Sequence, residues 1–227
     1  MNKKIKLKTV DGFKIAGTHT TSQGKGLVLW LHGITVNQDE YQDFFKDGAE
    51  YLSNAGYDSV RIDFRGHGKS SGSSLDFSIA GQMLDVQAAL AYMKQSYSDL
   101  PSLIIVGCSF GAPPALFAAS QNHGTVKGVV LIAPVLSYER TFLKPETEWA
   151  KSIFNDQTLA KLDRTNRLYF DRKFPITSRL VEEMRLIEPE TTLQKLRLPV
   201  SIIHGDADSM VPFAVSLEFA KACPRVK

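Results

Sequence analysis

The feature of this 227-residue chain that most restricts its fold is a regular exchange between two periodicities. Apolar runs of strand length are followed, repeatedly, by segments whose apolar residues recur three and four positions apart. "LVLWLHG" reads as a strand, and "YQDFFKDGAEYLSNAG" as a helix in which Phe44, Phe45, Ala49 and Leu52 recur at helical spacing before Gly56 ends it. "YDSVRIDF" with "SIAGQMLDVQAALAYMKQ", and "SLIIVGCS" with "APPALFAASQN", repeat the pair, the prolines of the latter sitting in its first turn. "VKGVVLIAPV", "PVSIIHG" and "PFAVSLEFAKAC" extend the series. Strands joined through helices run parallel with right-handed crossovers. The pattern therefore predicts an α/β fold: a mostly parallel sheet with helices on both faces.

Two stretches depart from the rhythm. At the start, "KIKLKTVDGFKIAGTHT" alternates apolar and polar residues on both sides of Asp11-Gly12, which predicts an N-terminal antiparallel hairpin with a two-residue turn. Between residues 136 and 196 amphipathic helical segments occur without a clear strand. They read as a helical cap inserted into one domain whose core is residues 1–135 and 197–227; the plainer reading is two more packing helices. No repeat or linker suggests a second domain.

Bulk properties narrow the function classes. The apolar runs are far shorter than the roughly 20 residues a spanning helix needs. The net charge of +3 comes without a basic run interleaved with aromatics, so no nucleic-acid partner is expected. The lysine-rich N-terminus lacks the apolar core and cleavage site of a signal peptide, and Cys108 and Cys223 are too few for a disulfide framework, so the chain is read as cytoplasmic.

In open α/β sheets ligands sit beyond the carboxyl ends of the strands, so chemistry is sought in the loops that follow them. Gly107-Cys108-Ser109-Phe110-Gly111 is a G-x-S-x-G motif between a strand and a helix, the context a nucleophile elbow requires. Such a turn exposes the Ser109 hydroxyl, and the helix N-terminus behind it favours an oxyanion. A tetrahedral oxyanion needs two preset donors, each contributing about 3 kcal/mol. The amides of Ile34, after "LHG", and of Phe110 are the candidates. His32 is read as ordering its loop, and His67 in "DFRGHGKSSG" as a loop-ordering residue or a proton carrier. That loop lacks the spacing of a phosphate cradle, and no metal or organic cofactor is implied. "SIIHGDADSMVPF" carries two acids; Asp208, just past a strand end and ahead of Pro212, is preferred to Asp206 as the acid of a Ser/His/acid relay, while His204 and Asp206 shape the loop.

Together, "LHGIT", "DFRGHGKSSG", "GCSFG" and "HGDADSMVP" resemble the α/β-hydrolase superfamily, nearest to its monoacylglycerol-lipase, serine-aminopeptidase and bacterial carboxylesterase or feruloyl-esterase branches. The resemblance covers essentially the whole chain. It implies Ser109 as nucleophile, Asp208 as catalytic acid, Ile34 and Phe110 as oxyanion donors, and a small ester or acyl compound as substrate. It also implies a histidine some 25 to 35 residues after the acid, on the far side of a further strand. All five histidines, His19, His32, His67, His123 and His204, precede Asp208. The expectation is therefore a shortened hydrolase lacking its last strand and helix, with impaired activity and an exposed sheet edge open to homo-oligomer formation. The alternatives are an inactive binding protein that retains the pocket, and rescue by His67 or by a histidine from another chain.

Overall fold

Fully buried, all-apolar Leu27–Leu31 forms the strand around which the rest is built. The computed structural model describes residues 1–122, 124–170, 173–223 and 226; His123 lies outside the described residues. The chain runs β1 (Asn2–Lys8), β2 (Lys14–Thr20), β3 (Leu27–Leu31), α1 (Phe44–Asn54), β4 (Asp58–Ile62), α2 (Ile79–Ser96), β5 (Leu103–Cys108), α3 (Ala112–Gln121) and β6 (Val126–Ile132). A π-helical turn at Glu139–Leu143 then leads to α4 (Glu148–Ile153), α5 (Asp156–Thr165), β7 (Leu168–Tyr169), β8 (Pro175–Ile176), α6 (Ser178–Leu186) and α7 (Pro189–Lys195). Last come β9 (Val200–Ile203) and α8 (Phe213–Ala222).

The main sheet has the order β1-β2-β4-β3-β5-β6-β9. β1 pairs antiparallel with β2 and β2 antiparallel with β4, while β4, β3, β5, β6 and β9 are mutually parallel. This is the predicted α/β-hydrolase architecture, hairpin included. The hairpin connection is longer than two residues: pairing ends at Lys8↔Lys14, and Thr9 to Phe13 close the loop through Thr9 N–H to Phe13 O at 3.0 Å and Gly12 N–H to Thr9 O at 3.0 Å. The segment between β6 and β9 also holds a strand pair that the pattern did not reveal, β7 with β8 in antiparallel register. Two residues per strand are too few to establish a period.

Because side chains alternate along each strand, the sheet divides its apolar residues between two cores. Leu27, Leu29, Leu31, Ile105 and Leu131 point into the larger one, closed by α2 and α3. Val28, Trp30 and Val106 point the other way, onto Phe45 and Ala49 of α1. Phe44, placed by sequence on the same helical face, instead stands 52% exposed. It borders an apolar groove of about 620 Å³ beside α1, floored by Val106, Val130, Ile132 and Ile203. Beyond α8, Val226 forms a single parallel bridge to Val200 of β9.

Loops at the carboxyl ends are fixed to one another by charge. Arg65, after β4, donates through Nη2 to Asp85 Oδ1 on α2 at 2.8 Å and through Nη1 to Asp11 Oδ2 in the hairpin loop at 2.7 Å. Arg65 and Asp85 are both buried, so the pair stands where its attraction is weakly screened.

Candidate active site

β5 is buried from Ile105 through Gly107, and at Ser109 the backbone turns into the left-handed region, φ 49°. A non-glycine residue there costs about 1–3 kcal/mol. A short 3-10 turn, Ser109–Gly111, then feeds α3, whose Pro113 and Pro114 occupy first-turn positions where a missing N–H costs nothing. The flanking glycines are steric necessities. A Cβ on Gly107 would stand 2.6 Å from Gly111 O, and one on Gly111 only 2.1 Å from Leu31 O. The turn is therefore pressed against β3. Gly111→Ala is expected to reduce unfolding free energy by about 3 kcal/mol, because backbone has to move to admit the methyl group. Chemical denaturation at neutral pH measures this.

Phe110 is fully buried and anchors the turn among aromatic rings, its centroid 5.5 Å from Tyr138 and 5.7 Å from Phe142. As the second residue of the turn, its N–H precedes the first intrahelical bond. On the facing loop, Ile34 N–H has no acceptor among the described residues. The loop crosses close to the turn: a Cβ on Gly33 would stand 3.2 Å from Ser109 Cβ. Ser109, Phe110 and the Gly33-Ile34 peptide thus meet at the carboxyl ends of β5 and β3.

Asp208 follows β9, half-buried, and is bound through both oxygens. Oδ1 accepts from Met210 N at 2.8 Å and Val211 N at 3.0 Å, and Oδ2 lies 3.2 Å from His204 Nε2. Burial pushes its carboxyl up, but His204 and the two amides outweigh that and hold it below the usual carboxylate range. Asp206 is exposed. The Asp208 charge reaches the turn, where it helps raise the Cys108 thiol.

Each described histidine has both ring nitrogens engaged. His32 Nδ1 donates to Gly33 O at 2.6 Å, and its Nε2 accepts from Phe64 N at 2.9 Å. His67 Nδ1 donates to Arg65 O at 3.1 Å, and its Nε2 accepts from Thr35 N at 3.2 Å. These partners fix neutral tautomers. Burial lowers His32 to about 4; burial and the neighbouring His32 lower His67 to about 3. His67 orders the loops through both nitrogens, and this geometry supports the loop-ordering reading over the proton carrier. His19 joins Tyr92 and Tyr97, and His204 bridges Ser216 and Asp208.

Sequence reasoning missed Glu40, whose carboxylate enters this crevice from the loop after β3. Oε2 accepts from Gly33 N at 2.8 Å and Oε1 from Tyr41 N at 3.1 Å, and the carboxylate's charge helps raise the neighbouring Cys108 thiol, which burial raises most. Its backbone, φ 61° and ψ −177°, lies in a region essentially reserved for glycine. Nothing in the local sequence announces that conformation. A separate cavity of about 380 Å³ within the segment 136–196 is lined by Tyr138, Leu143, Phe154, Leu159, Met184 and Ile187, and by none of Ser109, Ile34, Phe110 and Asp208. The chemistry, not the cavity, locates the candidate site. Among the described residues no group of three His, Cys, Asp or Glu side chains could hold a metal ion, and no helix is long and apolar enough to cross a membrane.

Residues 22–174 match the family model described as serine aminopeptidase, S33. The chain belongs to this family of α/β hydrolases. It is 27% identical over 114 residues to a monoglyceride lipase homolog of monkeypox virus, covering 50% of this chain and 40% of that protein. The chain spans about half the length, or less, of the curated relatives it matches. Among solved structures it is similar to Est1E from Butyrivibrio proteoclasticus, determined with ferulic acid bound, at a TM-score of 0.80 and 22% identity over 98% of this chain and 87% of that one. The Pyrococcus furiosus esterase Pf2001 aligns at a TM-score of 0.72 and 24% identity, over 100% of this chain and 79% of its own. These likenesses show that the chain shares its fold with the two esterase structures.

Proposed function

We propose that the chain carries the nucleophile half of a serine hydrolase acting on carboxylic esters. The observation that carries this reading is Ser109, held in a strained left-handed conformation at the end of β5 and packed on Gly33. In the proposed step Ser109 Oγ attacks the ester carbonyl and its proton passes to a base. The oxyanion is received by the N–H groups of Phe110 and Ile34, and the alcohol leaves on collapse to an acyl-enzyme, which water then hydrolyses. Asp208 is the acid that would orient and neutralise the base. The segment 136–196 is proposed as the cap over the acyl group, and the names of the relatives, a lipase homolog and esterases, support an ester substrate. Free thiols at Cys108 and Cys223 fit a reducing cytoplasm.

No described histidine has a ring nitrogen left for Ser109, so the base is proposed to come from outside the described residues, and the 227-residue chain alone is expected to be a poor catalyst. That same observation favours a second reading, a binding protein that holds a carboxylate or acyl ligand without turnover. Reaction with a fluorophosphonate followed by peptide mass analysis separates the two. An adduct on Ser109 supports the hydrolase; ligand-dependent thermal stabilisation with no adduct supports the binder.

The outer edge of β9 beyond the Val200–Val226 bridge is proposed to pair between copies of the chain, since Ile203 at its end is 60% exposed and borders the open groove. Light scattering after size exclusion is expected to show a dimer that Ile203→Lys converts to monomer. A wild-type monomer at high concentration rejects the pairing.

A further inference from the structure

Glu40 occupies a position the proposed reaction does not use. Its Oε2 and the Cβ of Ser109 lie 3.7 Å and 3.2 Å from the single point where a Gly33 Cβ would stand, so both crowd the same glycine. The loop that carries it is held at two further places, by Gln38 N to Asp63 Oδ1 at 2.7 Å and by the ion pair of Asp39 with buried Arg61. Thr35, Gln42 and Asp43 in the same stretch also have positive φ. Strain concentrated beside a reactive serine points to a functional demand on that loop. Glycine at position 40 would adopt the observed backbone freely; glutamate offers instead a carboxylate that reaches both the β3 loop and the turn after β5.

We propose that Glu40 is a positioning residue of the Ser109 site. Its carboxylate holds the Gly33 N–H, on the loop bearing Ile34, at the point where that loop packs against Ser109, and so keeps the two oxyanion donors at a fixed separation. The role rests on the hydrolase reading given above. Taking up the Gly33 N–H also leaves Ile34 as the donor of that peptide pair without an acceptor among the described residues. Burial raises the Glu40 carboxyl, consistent with a group drawn into the crevice for its contacts.

The test separates position from stability. Glu40→Gly removes the carboxylate and relaxes the backbone, so its Tm is expected to stay within about 3 °C of wild type or to rise. The rate constant for fluorophosphonate addition to Ser109 is expected to fall about tenfold, the loss of one charge-assisted hydrogen bond expressed in the transition state. Glu40→Gln, which preserves the accepting oxygen, is expected to recover most of that loss. Unchanged labelling in Glu40→Gly, or a rate loss accompanied by a matching loss of stability, overturns the proposal. If wild type itself takes no label, the hydrolase reading falls, and Glu40 is then judged by amide exchange at Gly33. Exchange about tenfold faster in Glu40→Gly shows that the tie exists; unchanged exchange removes it.

Discussion

Replacing Ser109 with alanine is expected to abolish covalent capture of a fluorophosphonate and any residual ester hydrolysis, with the fold intact. The side chain is small, and the change to alanine deletes only the hydroxyl oxygen. Stability should stay within about 0.5 kcal/mol, because alanine keeps the Cβ and the same left-handed backbone. On the proposed reading, the wild-type baseline is set by the lack of a proton acceptor for Ser109 among the described residues. Deleting the histidine of a comparable triad costs on the order of a million-fold in turnover, while an oxyanion hole and binding alone leave roughly a thousandfold over water. Slow single-turnover labelling, followed by mass spectrometry, is therefore the appropriate measurement. Free imidazole, a base small enough to enter the crevice, is expected to accelerate the wild-type reaction and to do nothing for Ser109→Ala. Equal labelling of the two proteins would remove Ser109 from the chemistry.

Acid is expected to destabilise the protein well before its carboxylates are titrated. His32 and His67 fold as neutral rings held down to about 4 and about 3, against about 6.5 in an unfolded chain. A histidine depressed on folding binds its proton more readily when unfolded, so stability is complete above pH 6.5 and drains as pH falls toward the folded values. For His67 alone the full difference is about 5 kcal/mol. His19, also lowered by burial, acts in the same direction. Glu40 and Asp85, raised chiefly by burial, act in the opposite direction. The histidine contribution is isolated by comparison with His67→Gln, which can still accept from Thr35 N–H but cannot ionise. Denaturant unfolding between pH 7.5 and pH 4 should show a clearly steeper loss in wild type than in the variant. Parallel slopes would mean that the ring is protonated in the folded state. Asp11, held near 2 chiefly by its bond from Arg65, contributes only at lower pH, below the ordinary carboxylate range.

The sheet was legible because its strands are buried on both faces and announce themselves as continuous apolar runs such as Leu27–Leu31. The motif loops were legible because they follow those strands directly. The remainder depends on contacts that leave no local trace. The outward turn of Phe44 reflects an uncovered stretch of sheet, which helical spacing alone does not report. The five-residue loop at Thr9–Phe13 carries the Asp-Gly of a tighter turn, yet it is drawn outward as Asp11 pairs with Arg65, 54 residues away. Glu40 enters the candidate site only because the backbone adopts an angle that its residue type disfavours, so propensity argues against the placement.

Strand order also bears on how the molecule is assembled during synthesis. Six of the seven strands of the main sheet are complete by Ile132, while β9 arrives only after the helices between β6 and β9. A nascent chain emerging N-terminus first can therefore close most of the sheet around β3 before its last edge exists. The Ser109 turn, pressed on Leu31, would be set early on the ribosome, whereas Asp208 would reach it as one of the final docking events.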